Sequence, residues 1–446
     1  MSSWEYVFLN ELLSESKIID DNPDPNRKIR VRLNCNGVEK RPLMSEKKGA
    51  TKNYIRKSGQ FIYGKQNFHK GAFGVIPIEL DGFSSSGDLP AFDVDSRCLP
   101  EWINYWFKTD NRYLNLAKHA KGVGSQRVNV KSFLQEKIAL PSLKQQSQII
   151  DKINKRKLTA ESFKTEQATQ ATLLSQLRQA ILQEAIEGKL TAGWRKENPI
   201  RKGDPDYDAE ALLEKIKAEK EKLIKEGKIK KQKPLAPIKL EEVPFDLPEG
   251  WVWTRLGGIS SIVRGGSPRP AGSKQYYDGD IPFLKVADLT ADSSIYLHTH
   301  TYTIKKAGLY KTRYVDADTL MLTNSGATLG IPKICKFPTT FNDGIAAFLG
   351  LSDALDKIFL FYFLKSKSSW FLAEAARGQG QPNLNTDIIG NTIIALPPTS
   401  EQQIITDRVE KLLSMVDELE KQVSERKEQS EQLMQAVLRE AFEGGN

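Results

Sequence analysis

The chain repeats itself. GVGSQRVN at 122–129 aligns with GQGQPNLN at 378–385, IALPSLKQQSQIIDKI at 138–153 with IALPPTSEQQIITDRV at 394–409, and QLRQAILQEAIEG at 176–188 with QLMQAVLREAFEG at 432–444. Every match has the same offset of 256 residues, so about 67 residues correspond without a gap. Chance similarity does not hold a register that long, and the segment is a duplication.

Most of the duplicated segment has helical spacing. Ile149, Ile153, Arg156, Ala160, Phe163, Gln167, Gln170, Leu174, Leu177 and Ile181 alternate by four and three, as do Ile405, Val409, Leu412, Val416, Leu419, Val423, Arg426, Ser430, Leu433 and Val437. A 3.5-residue period keeps one seam facing a partner helix. Pro141 and Pro397 stand just before the helices, where proline does no harm, and Gly188 and Gly444 mark their ends. Two such helices in one chain most simply pack on each other. The alternative is that each packs on its own globular domain. A helix of about 45 residues at 1.5 Å per residue is roughly 65 to 70 Å long, so an antiparallel pair would act as a ruler.

Ahead of each helix lies a block with short apolar runs broken by Gly, Pro, Asn and Asp. FIYG at 61–64, FGVIPIEL at 73–80, IPFLKVADL at 281–289 and TLMLTNSG at 319–326 are expected strands with turns. PEWINYWF at 100–107 and IFLFYFLKS at 358–366 are expected helices on a sheet. The fold class is therefore α/β: two mixed α/β domains separated by two long antiparallel helices, with an internal pseudo-twofold repeat. The expected divisions are a first domain at 1–140, a first spacer helix at 141–190, a charged connector at 191–245, a second domain at 246–396 and a second spacer helix at 397–446. Trp4 and Leu9 match the spacing of Trp251 and Leu256, but SGQFIYGKQNFHKGAFG at 58–74 has no clear counterpart in VRGGSPRPAGSKQYYDG at 263–279. A repeated scaffold presenting different domains is expected if each domain reads something different.

Lys and Arg outnumber Asp and Glu by 65 to 56, a net charge of +9 that suits a polyanionic partner. Cys35, Cys98 and Cys335 are scattered, which supports neither zinc nor a disulfide framework. The opening MSSWEYVFLNELLSESK lacks a signal-peptide pattern, and no run reaches the roughly 18 to 20 apolar residues of a membrane span, so a cytoplasmic chain with no membrane partner is expected. The connector stretch DAEALLEKIKAEKEKLIKEGKIKKQKPLAP reads as a solvated link more readily than as a DNA-binding arm.

No catalytic constellation is legible. There is no D/N-P-P-Y/F motif for amino-group methylation, and GGSPRPAGSK at 265–274 has the wrong spacing and two prolines for a phosphate loop. His298 and His300 lack companion ligands for a metal. Nothing assembles a nucleophile, a base and an orienting group. Polar, glycine-bearing loops fit recognition better, since Arg, Lys, Asn and Gln read base edges and backbone groups approach phosphates. The DNA-binding candidates in the first domain are Lys65, Gln66, Asn67, His69, Lys70, Lys121, Gln126 and Arg127. In the second domain they are Arg264, Ser267, Arg269, Lys274, Asn324, Ser325, Arg377, Gln379, Gln381 and Asn383. The GxG…N loops recur in both copies and so suit backbone contact or support of the helix start. KQNFHK and VRGGSPRP differ between the copies and are the stronger candidates for specificity.

LPEGWVWTRLGGI at 247–259, the two IALP…Q…I helix starts, QAILQEAIEGKLTAGWRKENP at 179–199 and QAVLREAFEGG at 435–445 together resemble the specificity subunits of Type I restriction–modification systems over nearly the whole chain. The first domain opens WEYVFLNELL without a preceding LPEG. The resemblance implies two target recognition domains reading an asymmetric, bipartite site in double-stranded DNA. It implies a non-catalytic chain that assembles with two methylation subunits and with translocating restriction subunits. S-adenosylmethionine, ATP and Mg2+ would be bound by those partners, and no cofactor by this chain. A stand-alone DNA-binding regulator would share the charge and the repeat, whereas a coiled-coil scaffold would show no salt-dependent DNA binding. If the helices are a ruler, inserting or deleting a few helical residues changes the gap between the half-sites and leaves their sequences alone. Mapping methylated bases in cells carrying such variants checks this, and an unchanged gap refutes it.

Overall fold

The computed structural model describes residues 4–42, 52–119, 127–376 and 383–443. Two compact units divide the chain, residues 1–170 with 422–446 and residues 171–421.

In the first unit the strand Glu5–Phe8 pairs antiparallel with Lys137–Leu140. A four-stranded antiparallel sheet follows the order 13–16, 91–94, 61–63, 73–75. Its core is aromatic. Phe61, Tyr63, Phe68, Phe73, Phe92 and Phe133 are wholly buried, and the Phe133 ring lies 4.6 Å from that of Tyr63 and 5.9 Å from that of Phe61. The helix Pro100–Lys108 starts on a proline whose missing N–H costs nothing there. It lays Trp102, Ile103, Trp106 and Phe107 into this core, and the Trp102 indole donates to Ala139 O at 2.7 Å. Both helices expected on sheets are present, the second as Lys357–Ser366 in the other unit.

The second unit has its own edge pair, Val252–Arg255 with Ile393–Leu396. Its five-stranded sheet runs 261–264, 345–349, 319–323, 332–335, 296–297, and a four-stranded sheet runs 302–304, 277–284, 339–341, 313–315. The first four strands of the larger sheet repeat the connectivity of the four-stranded sheet in the first unit. The topological counterpart of the 64–71 loop is therefore the loop following Thr319–Thr323, not VRGGSPRP.

The duplication extends to single hydrogen bonds. Asn129 and Asn385 each cap a short helix, accepting from Ser132 N at 2.9 Å and Ile388 N at 2.8 Å. Gln146 and Gln402, both fully buried, receive backbone N–H groups (Leu99 and Asp356) at 2.8 Å and donate to Pro141 O at 2.8 Å and Pro397 O at 3.0 Å. Each glutamine thus satisfies backbone groups where a strand hands over to a long helix, Leu143–Ile186 or Thr399–Glu443. Seam residues Ile153, Leu174, Ile181, Ile405, Val409 and Val416 are buried. Leu177 and Leu419 are 43% and 44% exposed, because a single partner helix covers only one flank of a seam. Within the second unit the two helices run antiparallel: Arg178 pairs with Asp417 and Glu420, while Arg408 reaches Leu190 O.

One cluster binds this pair together. The Glu401 carboxylate, 1% exposed, accepts from Thr191 Oγ1 at 2.6 Å and from the Trp251 indole at 2.8 Å, and forms an ion pair with Arg195. Arg195 also donates to Gly188 O at 2.7 Å. Gly188 has φ +69°, and a Cβ there would lie 2.7 Å from Pro248 and 2.9 Å from Trp251. Both its conformation and its crowding demand glycine. The corresponding residue of the first copy, Gln145, is exposed and among the described residues bonds only Ser142. Removing one member of a buried ion pair leaves its partner uncompensated, so Glu401→Ala should cost about 3 kcal/mol or more, whereas Gln145→Ala should cost less than about 1 kcal/mol. Urea unfolding of the two variants measures this, and equal losses would contradict the clasp.

Candidate nucleic-acid interface

In the first unit the candidate residues surround one turn. Asn67 O accepts from Lys70 N at 2.9 Å and Ala72 N at 3.0 Å, and Gly71 closes the turn at φ +76°. A Cβ on Gly71 would fall 2.7 Å from Cys35 N. Lys65 is largely committed to the fold: its ammonium donates to Gly87 O at 2.6 Å and its carbonyl accepts from Val128 N at 2.8 Å. Gln66 and Lys70 are exposed. His69 is half-buried, and its Nδ1 has no hydrogen-bond partner among the described residues. Arg127 is exposed at 3.6 Å from Asp88, next to the Gly87 that holds Lys65. Lys65, Gln66 and Arg127 therefore gather at one edge. Lys121 and Gln126 lie outside the described residues.

In the second unit VRGGSPRP is anchored through its backbone. Arg264 donates from Nε to Asp343 O and accepts at its carbonyl from Arg313 Nε at 2.6 Å. A Cβ on Gly265 or Gly266 would lie 2.3 Å from Asn342 O or 2.4 Å from Lys311 O, which accounts for the glycine pair. Ser267 donates to the Asp343 carboxylate at 2.7 Å. Arg269 and Lys274 have exposed side chains, and their carbonyls accept from Lys311 Nζ at 3.2 Å and Lys305 Nζ at 2.7 Å. Burial pushes the Tyr277 phenol pKa up, which keeps the proton it donates to Pro268 O at 2.8 Å. A cleft of about 380 Å³ opens here, with Ser267, Arg269, Lys285, Tyr302 and Asp343 in its wall. Lys285 Nζ sits 3.4 Å from the Tyr302 ring centroid.

The carbonyl contacts of Lys305, Lys311 and Arg313 reveal a segment that sequence reading passed over. YTIKKAGLYKTRY at 302–314 interleaves basic and aromatic residues, the composition of a nucleic-acid-binding surface. Lys305, Lys306 and Arg313 are exposed, and Tyr310 and Tyr314 are 75% and 57% exposed. Its hydrogen bond with Tyr310 holds the Tyr276 phenol pKa below the ordinary value, with Lys311 acting in the same direction. The segment and VRGGSPRP thus form one basic and aromatic face. The alternation of Tyr with Lys and Arg was the available signal.

Asn324, Ser325 and Asn383 form a second group. Ser325 bridges Asn383, and Asn324 O accepts from Leu384 N at 2.8 Å, the counterpart of the Lys65–Val128 bond. The Asn324 side chain is fully buried, yet neither its Oδ1 nor its Nδ2 has a partner among the described residues. Such a group is costly, so its retention points to use rather than stability. Arg377, Gln379 and Gln381 lie outside the described residues. His298 and His300 are on the 296–300 segment, where the His300 ring packs 5.4 Å from Phe337.

Two α/β units thus repeat a strand order and present differing polar loops. Residues 248–429 match the family profile described as the Type I restriction modification DNA specificity domain. The chain is 29% identical over 58% of its length to the specificity subunit of the Type I restriction enzyme EcoAI of Escherichia coli, and 30% identical over 63% to that of EcoEI. These matches span 43% and 46% of the two relatives, less than half of their length. Among solved structures it resembles a chain from work on complex assembly and conformational transition of the type I R-M system, with TM-score 0.66 at 18% identity, covering 99% of this chain and 97% of that one. It also resembles the HsdS subunit from Thermoanaerobacter tengcongensis, with TM-score 0.56 at 19% identity, covering 100% and 97%. Residues 248–429 thus carry the match to a Type I restriction modification DNA specificity domain, and the chain is similar to Type I specificity subunits in sequence and shares the fold of the HsdS chain.

An unsatisfied buried amide costs about 1–3 kcal/mol. Replacing it with a similarly shaped apolar group, Asn324→Leu, should therefore raise stability by about 1 kcal/mol, seen as a higher melting temperature. A lower one would show that the amide is satisfied in solution.

Proposed function

We propose that the chain reads an asymmetric, bipartite site in double-stranded DNA, each unit reading one half-site. The observation that carries this is the face of the second unit, where Arg269, Lys274, Lys306 and Arg313 stand exposed beside Tyr310 and Tyr314. The same strand order in the first unit carries a different loop at 64–71, which supports a different half-site. Lysines supply affinity through phosphates, while Arg, Gln and Asn supply base readout.

In this reading the chain is not itself a catalyst. It positions two methylation subunits and the restriction subunits, which hold S-adenosylmethionine, ATP and Mg2+. Exposed Leu173 and Leu177 on one helix and Met415 and Leu419 on the other give those partners an apolar surface. No helix among the described residues is long and apolar enough to cross a membrane, and a cytoplasmic location follows from a DNA target.

The test is to map methylated bases across the genome with the gene intact, deleted, or carrying Arg269→Ala. A two-part methylated motif should vanish on deletion. In the Arg269→Ala strain one half-site should relax while the other stays fixed, at a cost of about 1–3 kcal/mol for the lost base contact. An unchanged methylation pattern on deletion would overturn the proposal.

A further inference from the structure

The basic run of the connector is fixed in place, not free. Residues 222–239 hold seven lysines against one glutamate, a net of +6 in a chain whose total is +9. The helix Ala209–Lys225 ends at Gly227, φ +70°, with Lys228 N returning to Leu223 O at 2.9 Å. From there the chain is pinned to the second unit at short intervals. Ile229 is buried against Gly350, where even a Cβ would lie 3.1 Å from its Cδ1. Gln232 donates to Ile262 O at 3.2 Å, Leu235 covers Gly257, and Arg255 donates to Ala236 O at 2.7 Å and Pro237 O at 3.0 Å.

Between these pins Lys228, Lys230, Lys231 and Lys233 are exposed. Lys228 pairs with Glu226 at 2.8 Å and Lys233 with Asp387 at 3.6 Å, both solvent-exposed contacts of little strength. Lys230 and Lys231 have no ion-pair partner among the described residues. A link that had only to span a distance would not need this row of pins. Holding like charges in a fixed row costs free energy through their repulsion, and a polyanion relieves it. The row also borders the candidate interface, since Asp387 follows Asn383 by four residues in the short helix capped by Asn385.

We propose that Lys228, Lys230, Lys231 and Lys233 form a phosphate-binding strip for the DNA backbone beside the second recognition unit. The strip rests on the DNA-reading function above and adds affinity without sequence information. Each phosphate neutralised by a protein cation steepens the fall of log K with log salt by about 0.9.

The test measures binding of the full-length chain to linear mixed-sequence duplex DNA across a series of salt concentrations. K230Q/K231Q is compared with wild type and with K215Q/K217Q, which removes the same charge from exposed positions of the connector helix. The slope should shrink by about 1.8 in K230Q/K231Q and stay at the wild-type value in K215Q/K217Q. Equal slopes in all three, or equal losses in both variants, would overturn the strip and leave the reading of the loops standing. A wild-type chain without salt-dependent binding would overturn both. Unchanged DNA binding with loss of a co-purifying protein subunit from K230Q/K231Q would assign the strip to an acidic protein surface and overturn it as a DNA site.

Discussion

A buried carboxylate holds the second unit in register. Glu401 stands near the start of the second long helix and receives Thr191, Arg195 and Trp251, three donors separated in sequence by up to 60 residues. A charge removed from water is tolerated when it is paired and its remaining lone pairs are hydrogen-bonded, and here both conditions hold. The cluster gives EGKLTAGWR at 187–195 and LPEGW at 247–251 their structural role. Gly188 makes room for Trp251 and Pro248, Arg195 closes back on Gly188, and all converge on one acid. Everything the connector does afterwards starts from a fixed end of the first long helix.

On that frame the two units repeat a strand order, not a surface. Lys65 and Asn324 occupy equivalent places, each giving its carbonyl to the residue before a capping asparagine. Their side chains differ completely: the Lys65 ammonium is spent on Gly87 O, while the Asn324 amide is buried without a partner among the described residues. The backbone bonds conserve the position of the loop and leave the side chain free to vary. Such an arrangement lets recognition change while the helix start, tied down by Gln146 or Gln402, does not.

Much of this was legible in the residues. The 256-residue offset located the duplicated helices, and PEWINYWF and IFLFYFLKS declared themselves by apolar spacing. VRGGSPRP stood out by composition, although its Arg264 proves half structural, donating to Asp343 O. What escaped were features that depend on distant contacts. No local pattern shows that Leu177 and Leu419 stay exposed, since exposure depends on which flank the partner helix covers. The pairing of 64–71 with 323–330 requires the strand order, because the two loops share no sequence register. The 302–314 segment carried its signal in the open, but its place beside Arg264 and Arg269 rests on hydrogen bonds to their carbonyls.

Those carbonyl contacts separate two tasks among the basic residues. Lys305 and Lys311 use their ammonium groups on the backbone of the 269–274 turn, and Arg313 uses Nε on Arg264 O, so part of their hydrogen-bonding capacity is already committed. They hold the turn in one shape and still raise the positive potential around it. Arg269 and Lys274, supported from behind, keep exposed side chains on a backbone that cannot drift. Base readout demands such placement, since a bidentate contact fails when its donor moves by an ångström or so. Phosphate attraction tolerates looser side-chain placement, and on the proposed reading the lysines that serve it sit on the connector, whose backbone is pinned to the second unit outside these loops. In that reading, selectivity is tied to packed loops and affinity to a surface strip, so either can change without disturbing the other.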